Sequence, residues 1–180
     1  MVGRGDDVPL SEKGRAEAAE AARRLACEPV HTILTSPRRR ARDTAARIAE
    51  ATGAPVAIEA NLDELDFGAW TGLTPQALES DQRWLHWNAH RSAGCCPGGE
   101  SMRDVWARMS SVFDRLAKQS TPATFVLVSH AEPIRAALLT AMGRSFDDFL
   151  QVAVPTGGVT TLVRRGDALS FMPAVEEVSA

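Results

Sequence analysis

The stretch Val126-Leu127-Val128-Ser129-His130-Ala131-Glu132-Pro133-Ile134-Arg135 decides the fold. Phe125 to Val128 is a short, continuous apolar run rich in β-branched residues, the pattern of a strand buried on both faces. Pro133 suits a first helical position, and Ile134 to Met142 reads as helix. The sequence thus predicts a strand that delivers His130 to a helix start, where unpaired N–H groups favour an anionic ligand. A histidine that merely caps the strand end is the plainer alternative, so other segments must tip the balance.

Leu34-Thr-Ser36-Pro37-Arg38-Arg39-Arg40-Ala41-Arg42-Asp-Thr44 repeats the arrangement. Val30 to Thr35 predicts a second short strand, with Ser36 as N-cap and Pro37 as first helical residue. The four arginines do not form one stripe. At about 100° per residue, Arg38 and Arg42 lie roughly 40° apart, while Arg40 points about 160° from Arg38. The apolar side is Ala41, Ala45, Ile48 and Ala49, and Arg40 lies off it. An arginine in the first turn after a strand can fork onto phosphate oxygens; a solvated cluster is the alternative.

In Leu62-Asp63-Glu64-Leu65-Asp66-Phe67-Gly68-Ala-Trp70-Thr-Gly72, glycines and aromatics suggest an ordered loop close to a pocket. Of its carboxylates Asp63, Glu64 and Asp66, one held in partly apolar surroundings would stay protonated and serve as general acid. A surface acidic turn fits equally. Pro97-Gly98-Gly99-Glu100-Ser101 is a glycine turn into a helix through Val105, Met109, Val112, Phe113 and Leu116, with no chemistry of its own. Trp84-Leu-His86-Trp87-Asn88-Ala-His90-Arg91 either packs a helix on the body or forms a lid whose Trp87, His86 or Arg91 touches a leaving group.

Taken in order, Pro9 to Gly14, Ser36-Pro37 with Arg40-Ala41 and Thr44, Glu64 to Gly72, Pro97 to Ser101 and Ser129-His130 through Arg135 resemble the histidine phosphatase superfamily, the phosphoglycerate mutase-like fold. The small bacterial phosphatases of that superfamily are the most similar. The resemblance implies a three-layer α/β/α sandwich with a mostly parallel sheet in one domain, residues 1–180. It implies that Arg40 binds phosphoryl oxygens, Glu64 protonates the leaving alcohol, and His130 neutralises the phosphoryl group in flight. Ser129 and Ala131 flank that histidine, and Trp87 and Arg91 would meet the substrate. Glu132 adds negative charge near the phosphate site.

The family signature, a first strand ending in Arg-His-Gly or Arg-His-Ala whose histidine becomes phosphorylated, is not found. The chain opens at Met1-Val-Gly-Arg-Gly-Asp-Asp-Val-Pro-Leu-Ser, which resembles the segment about a dozen residues downstream of that signature. Of the remaining histidines, His31 falls at the wrong end of a strand, and His86 and His90 lie in a variable segment. The expectation is therefore an apparently missing first strand. Losing about five buried side chains at ~1.5–3 kcal/mol each is comparable with a whole domain's stability of ~5–15 kcal/mol. The strand 124–129 should then lack one neighbour, or borrow a replacement from Met1–Val8 or another subunit.

The implied activity is a phosphomonoester hydrolase with a phosphohistidine intermediate in a full-length form, and little activity in these residues alone. The alternatives are an inactive phosphate- or phosphoprotein-binding module and, further off, a phosphoglycerate mutase. No cofactor or metal is expected. The substrate would be a small phosphorylated metabolite, and a homodimer is compatible. At 180 residues, 44% hydrophobic and net charge −3, the chain suits one domain and argues against general nucleic-acid binding. No run reads as a membrane span or signal peptide. Cys27, Cys95 and Cys96 give no disulfide framework, consistent with a cytoplasmic protein.

Elsewhere, Ser11 begins a helix through Ala26, Ala54 to Ala60 reads as a strand, and Thr74 caps a short helix. Strands near Val159–Val163 and Leu169–Met172, joined at Arg165-Gly-Asp, would supply an antiparallel edge to the sheet after the loop Pro155–Gly158.

Overall fold

The computed structural model describes residues 1–5 and 8–172. Alternation of apolar residues along two central strands explains its layers. In β1 (Val30–Thr35) Ile33 faces one side and Leu34 the other; in β3 (Thr124–Val128) Val126 and Val128 face the first side and Leu127 the second. On one side lie α1 (Glu12–Leu25) and α2 (Arg39–Thr52), whose alanine-rich faces pack on each other and on Ile33 and Val128. On the other lie α4 (Met102–Leu116) and α5 (Ala131–Ala141), where Val105, Met109, Val112, Ala136 and Ala137 close the main core.

The main sheet is parallel, in the order β2–β1–β3, with β2 (Val56–Ile58) on the outside. This is the expected sandwich. β2 is shorter than the predicted 54–60 run, and all three of its residues are exposed. Beside β3 the register runs from Val30 opposite Thr124 to Thr35 opposite Val128. Among the described residues its other edge has no partner strand. Met1–Gly5 forms none, and residues 6 and 7 lie outside the described residues. Phe125, Val126 and Leu127 are therefore only half-buried, not enclosed on both faces as the apolar run implies.

The carboxy-terminal hairpin corrects another expectation. β4 (Thr161–Arg165) and β5 (Ala168–Met172) pair antiparallel as predicted, but as a separate two-stranded sheet. Leu162 and Phe171 anchor it over Leu138, Leu139, Phe149 and Val152, so it grips α5 instead of extending the central sheet. Helix caps are legible locally. Ser11 accepts from Gly14 N–H, and Ser101 forms a capping box with Asp104.

An unpartnered parallel edge makes a direct prediction. Amides of 124–128 that donate to β1 should exchange slowly with solvent hydrogen. The alternate amides, which point to the open edge, should exchange at least ~100-fold faster. Uniform protection along 124–128 would show that the edge is covered.

Candidate active site

β1 and β3 run side by side and end together, so the residues just beyond them meet. The chain after β1 turns before its helix starts: Ser36 and Pro37 precede Arg38, which is the N-cap, and α2 begins at Arg39. The predicted N-cap role of Ser36 is thus replaced. Its hydroxyl accepts from Arg38 N–H at 3.3 Å and from His130 Nε2–H at 2.7 Å, and donates to Asp63 Oδ1 at 3.3 Å. After β3, α5 begins at Ala131 with His130 as N-cap, and Pro133 is its third residue. Proline is harmless there because first-turn N–H groups have no helical acceptor.

Arg40 Nε donates to His130 Nδ1 at 3.2 Å. That bond leaves Nδ1 as acceptor and puts the imidazole proton on Nε2, facing Ser36. Burial first, and the neighbouring Arg40 second, push the imidazole down to about 3, so it is neutral at physiological pH. Arg40 Nη2 donates to Gly3 O at 2.9 Å, whereas its Nη1 is buried without a hydrogen-bond partner among the described residues. Burial lowers this guanidinium's pKa against the opposing pull of Glu64 and Asp63. A buried donor left unpaired costs about 1–3 kcal/mol, so Nη1 is an unmet demand for an acceptor.

The remaining charges are paired. Arg38 holds Asp63 through Nε at 2.9 Å and Nη2 at 2.6 Å. Arg4 reaches Glu100 at 2.9 Å and Asp63 at 3.7 Å, and its Nε donates to Glu64 O. Arg108 bonds Glu100 at 3.0 Å and also Glu64 O at 3.1 Å. Burial works against the Asp63 carboxylate, but its hydrogen bonds from Arg38 and Glu64 N–H win and hold it below the usual range.

Glu64 behaves differently. Burial, reinforced by the Glu132 charge, pushes its carboxyl up to about 7, against the N–H groups of Leu65 and Glu132 and the charge of Arg40. The loop carrying it is clamped by the glycine turn that looked chemically silent. Ala69 N–H donates to Pro97 O and Glu100 N–H to Asp66 O, both at 2.9 Å. A Cβ on Gly68 would sit 2.2 Å from Pro97 O, and φ is +53° there, so only glycine allows this approach.

Arg40 thus meets His130, and its charge and that of the Glu64 carboxyl act on each other. Ser129 lies beside them with its hydroxyl on Leu62 O at 2.7 Å, and Ala131 presents the first turn of α5. Trp87 and Arg91 are placed elsewhere. Trp87 is 1% exposed within an aromatic cluster with Phe67, Trp70 and Trp84, and Arg91 is 4% exposed. They lie on and just after α3 (Gln82–Ala89), packed into the body, which is the first of the two alternatives for this segment. His86 and His90 stack on each other at its surface, and His31 is exposed against Phe125. Ser36, Arg38 and Asp63 as supports of His130 were not foreseen. Arg4, Glu100 and Arg108 also escaped notice, because ion pairs between distant segments leave no local pattern.

Residues 1–173 match the sequence profile of the histidine phosphatase superfamily (branch 1). The chain belongs to this family. It is 32% identical over 148 residues to phosphoserine phosphatase 1 of Hydrogenobacter thermophilus, covering 79% of this chain and 69% of that protein. It is 38% identical over 146 residues to a bifunctional protein of Mycobacterium tuberculosis, covering 78% of this chain but only 39% of that one. The mycobacterial glucosyl-3-phosphoglycerate phosphatase, solved with inorganic phosphate, superposes with a TM-score of 0.80 at 28% identity, over 96% of this chain and 88% of that one. Two of these three relatives of the histidine phosphatase chain are thus named phosphatases, one for phosphoserine and one for glucosyl-3-phosphoglycerate.

Asp63→Asn should lower stability near neutral pH by about 1–3 kcal/mol, because Arg38 loses a charged partner. The Asp63 pKa is depressed in the fold, so its contribution is present above the unfolded carboxylate range and is lost as pH falls through the folded value. The gap between the variant and the parent in urea titrations should close on acidification.

Proposed function

We propose that these residues form the phosphoryl-binding and proton-donating body of a phosphomonoester hydrolase for a small phosphorylated metabolite in the cytoplasm. One observation carries this: among the described residues Arg40 Nη1 is buried and unpaired beside His130, at the ends of two parallel strands. A phosphoryl oxygen there would satisfy Nη1, and further oxygens would meet the His130 imidazole and the N–H groups opening α5. A phosphate dianion in contact would raise the His130 pKa, so the ring would gain charge as the anion arrives.

Glu64 suits the leaving-group side. With its carboxyl at about 7 it still carries a proton near neutrality, and it donates that proton as the ester P–O bond breaks. The resulting carboxylate then takes a proton from the water that attacks the phosphorylated intermediate. In-line transfer is stabilised by preorganised positive charge at the equatorial oxygens.

The phosphohistidine route needs a nucleophile that His130 does not supply, since both of its ring nitrogens are engaged. His31, His86 and His90 lie outside the pocket. We therefore assign the nucleophile to a strand ending in Arg-His that docks along the open edge of β3. The engaged state of His130 also favours a second reading, a phosphate-binding module without turnover.

Residues 1–180 should bind inorganic phosphate, and Arg40→Met should weaken that binding at least ~10-fold in calorimetry. Their turnover of an aryl phosphate should be lower by ~10⁶ than that of a chain extended by an Arg-His strand, the scale of losing a covalent nucleophile. Phosphate binding with no turnover after extension would select the binding module; no phosphate binding at all would refute both. In the extended chain, hydrolysis of alkyl phosphates should fall as pH rises through about 7, where Glu64 loses its proton.

A further inference from the structure

Ser36 and Asp63 form a buried chain behind His130. The three residues are 0%, 6% and 7% exposed, so solvent does little to screen the charges among them. His130 Nε2–H donates to Ser36 Oγ at 2.7 Å, and the Ser36 hydroxyl donates to Asp63 Oδ1 at 3.3 Å. Asp63 Oδ1 also stands 3.9 Å from Nε2, so a charged ring faces the carboxylate directly as well as through the serine. Burying that carboxylate is costly unless it is hydrogen-bonded. It is: Oδ1 accepts from Arg38 Nε at 2.9 Å and from Glu64 N–H at 2.8 Å, and Oδ2 accepts from Arg38 Nη2 at 2.6 Å.

The direction of the chain follows from its donors. Arg40 Nε donates to Nδ1, so the neutral ring carries its proton on Nε2. A second proton, taken from solvent, can enter the ring only at Nδ1. A phosphoryl oxygen must then come between Arg40 and the ring and accept from both. Nε2–H stays on Ser36 throughout. At 3.3 Å the bond from Ser36 to Asp63 is long beside the ~2.5–2.7 Å of a charge-assisted one, so it has room to tighten as the ring becomes cationic.

We propose that Ser36 and Asp63 are positioning residues for His130, a serine–carboxylate relay that holds the ring by Nε2 and supplies the counter-ion to its cationic form. This rests on the reading of His130 as a phosphoryl contact. The groups facing the ring are Arg40 from α2, Ser36 and Arg38 from the turn after β1, Asp63 from the loop that carries Glu64, and Arg108 from α4. Asp63 is the negative charge among them. Without it, burial and three arginines would all oppose a charged imidazole.

The test follows the His130 ring nitrogens by ¹⁵N NMR against pH in the 180-residue chain, with and without saturating inorganic phosphate. In the parent, phosphate should raise the ring's midpoint by at least about one pH unit, with the new proton on Nδ1. Asp63→Asn removes the counter-ion and Ser36→Ala removes the acceptor for Nε2–H. Each should lower the phosphate-bound midpoint by about one pH unit. Residues that merely support the fold would cost stability and leave that midpoint at the parent value, which overturns the relay. A parent ring that stays neutral with phosphate bound overturns it as well. Should one variant fail to fold, the midpoint of the other decides alone. No phosphate binding in the parent would refute the phosphoryl-site reading itself, whereas binding with unshifted variants would refute the relay and leave that reading intact.

Discussion

The hydrogen bond between His130 Nε2 and Ser36 Oγ, 2.7 Å across 94 residues of sequence, is the constraint on which the site depends. It exists because β1 and β3 are adjacent, parallel and in register to their ends, so the two crossovers start side by side. Parallel strands place every such start on one side of the sheet, which is where ligands bind in open α/β folds. Any change that slides β3 against β1 would separate His130 from Ser36 and from Arg40 together. The glycine clamp between Gly68 and Pro97 does for Glu64 what the strand register does for the other two.

Charge in the site is distributed unequally, and this gives it direction. Arg4, Arg38 and Arg108 are matched by Asp63 and Glu100, so they serve as scaffold. Among the described residues Arg40 has a carbonyl and an imidazole as acceptors, and one of its nitrogens has none. His130 is neutral and Glu64 is close to its titration point near neutrality. In the proposed reaction an arriving phosphoryl group would meet a cation with no ion pair among the described residues, a ring able to gain a proton and an acid able to give one. In a chain of net charge −3, this local field, and not the overall charge, is what would draw in an anion.

Much of this was legible in the sequence because it is local. Apolar runs ending in Ser36 and Ser129-His130 announced the strands, and the off-stripe position of Arg40 singled it out from its arginine neighbours. What escaped was set by tertiary contacts. Ser36 reads as an N-cap, yet its hydroxyl is taken by His130 and Asp63, so α2 starts later. Pro133 reads as a first helical residue, yet α5 begins two residues earlier, because any first-turn position tolerates proline. The apolar run of β3 implies full burial, but an edge without a partner strand among the described residues leaves it half-exposed. Trp87 and Arg91 could be ligand contacts or packing by sequence alone; their burial, in an aromatic cluster and against the distant Glu132, decides for packing.

The central claim is that Arg40, His130 and Glu64 enclose one phosphoryl site. A crystal structure of the chain with orthovanadate tests it most directly. The oxyanion should lie within hydrogen-bond distance of Arg40 Nη1 and His130, with Glu64 on the side open to a leaving group. An oxyanion bound elsewhere, with Arg40 Nη1 still unpaired, would contradict it.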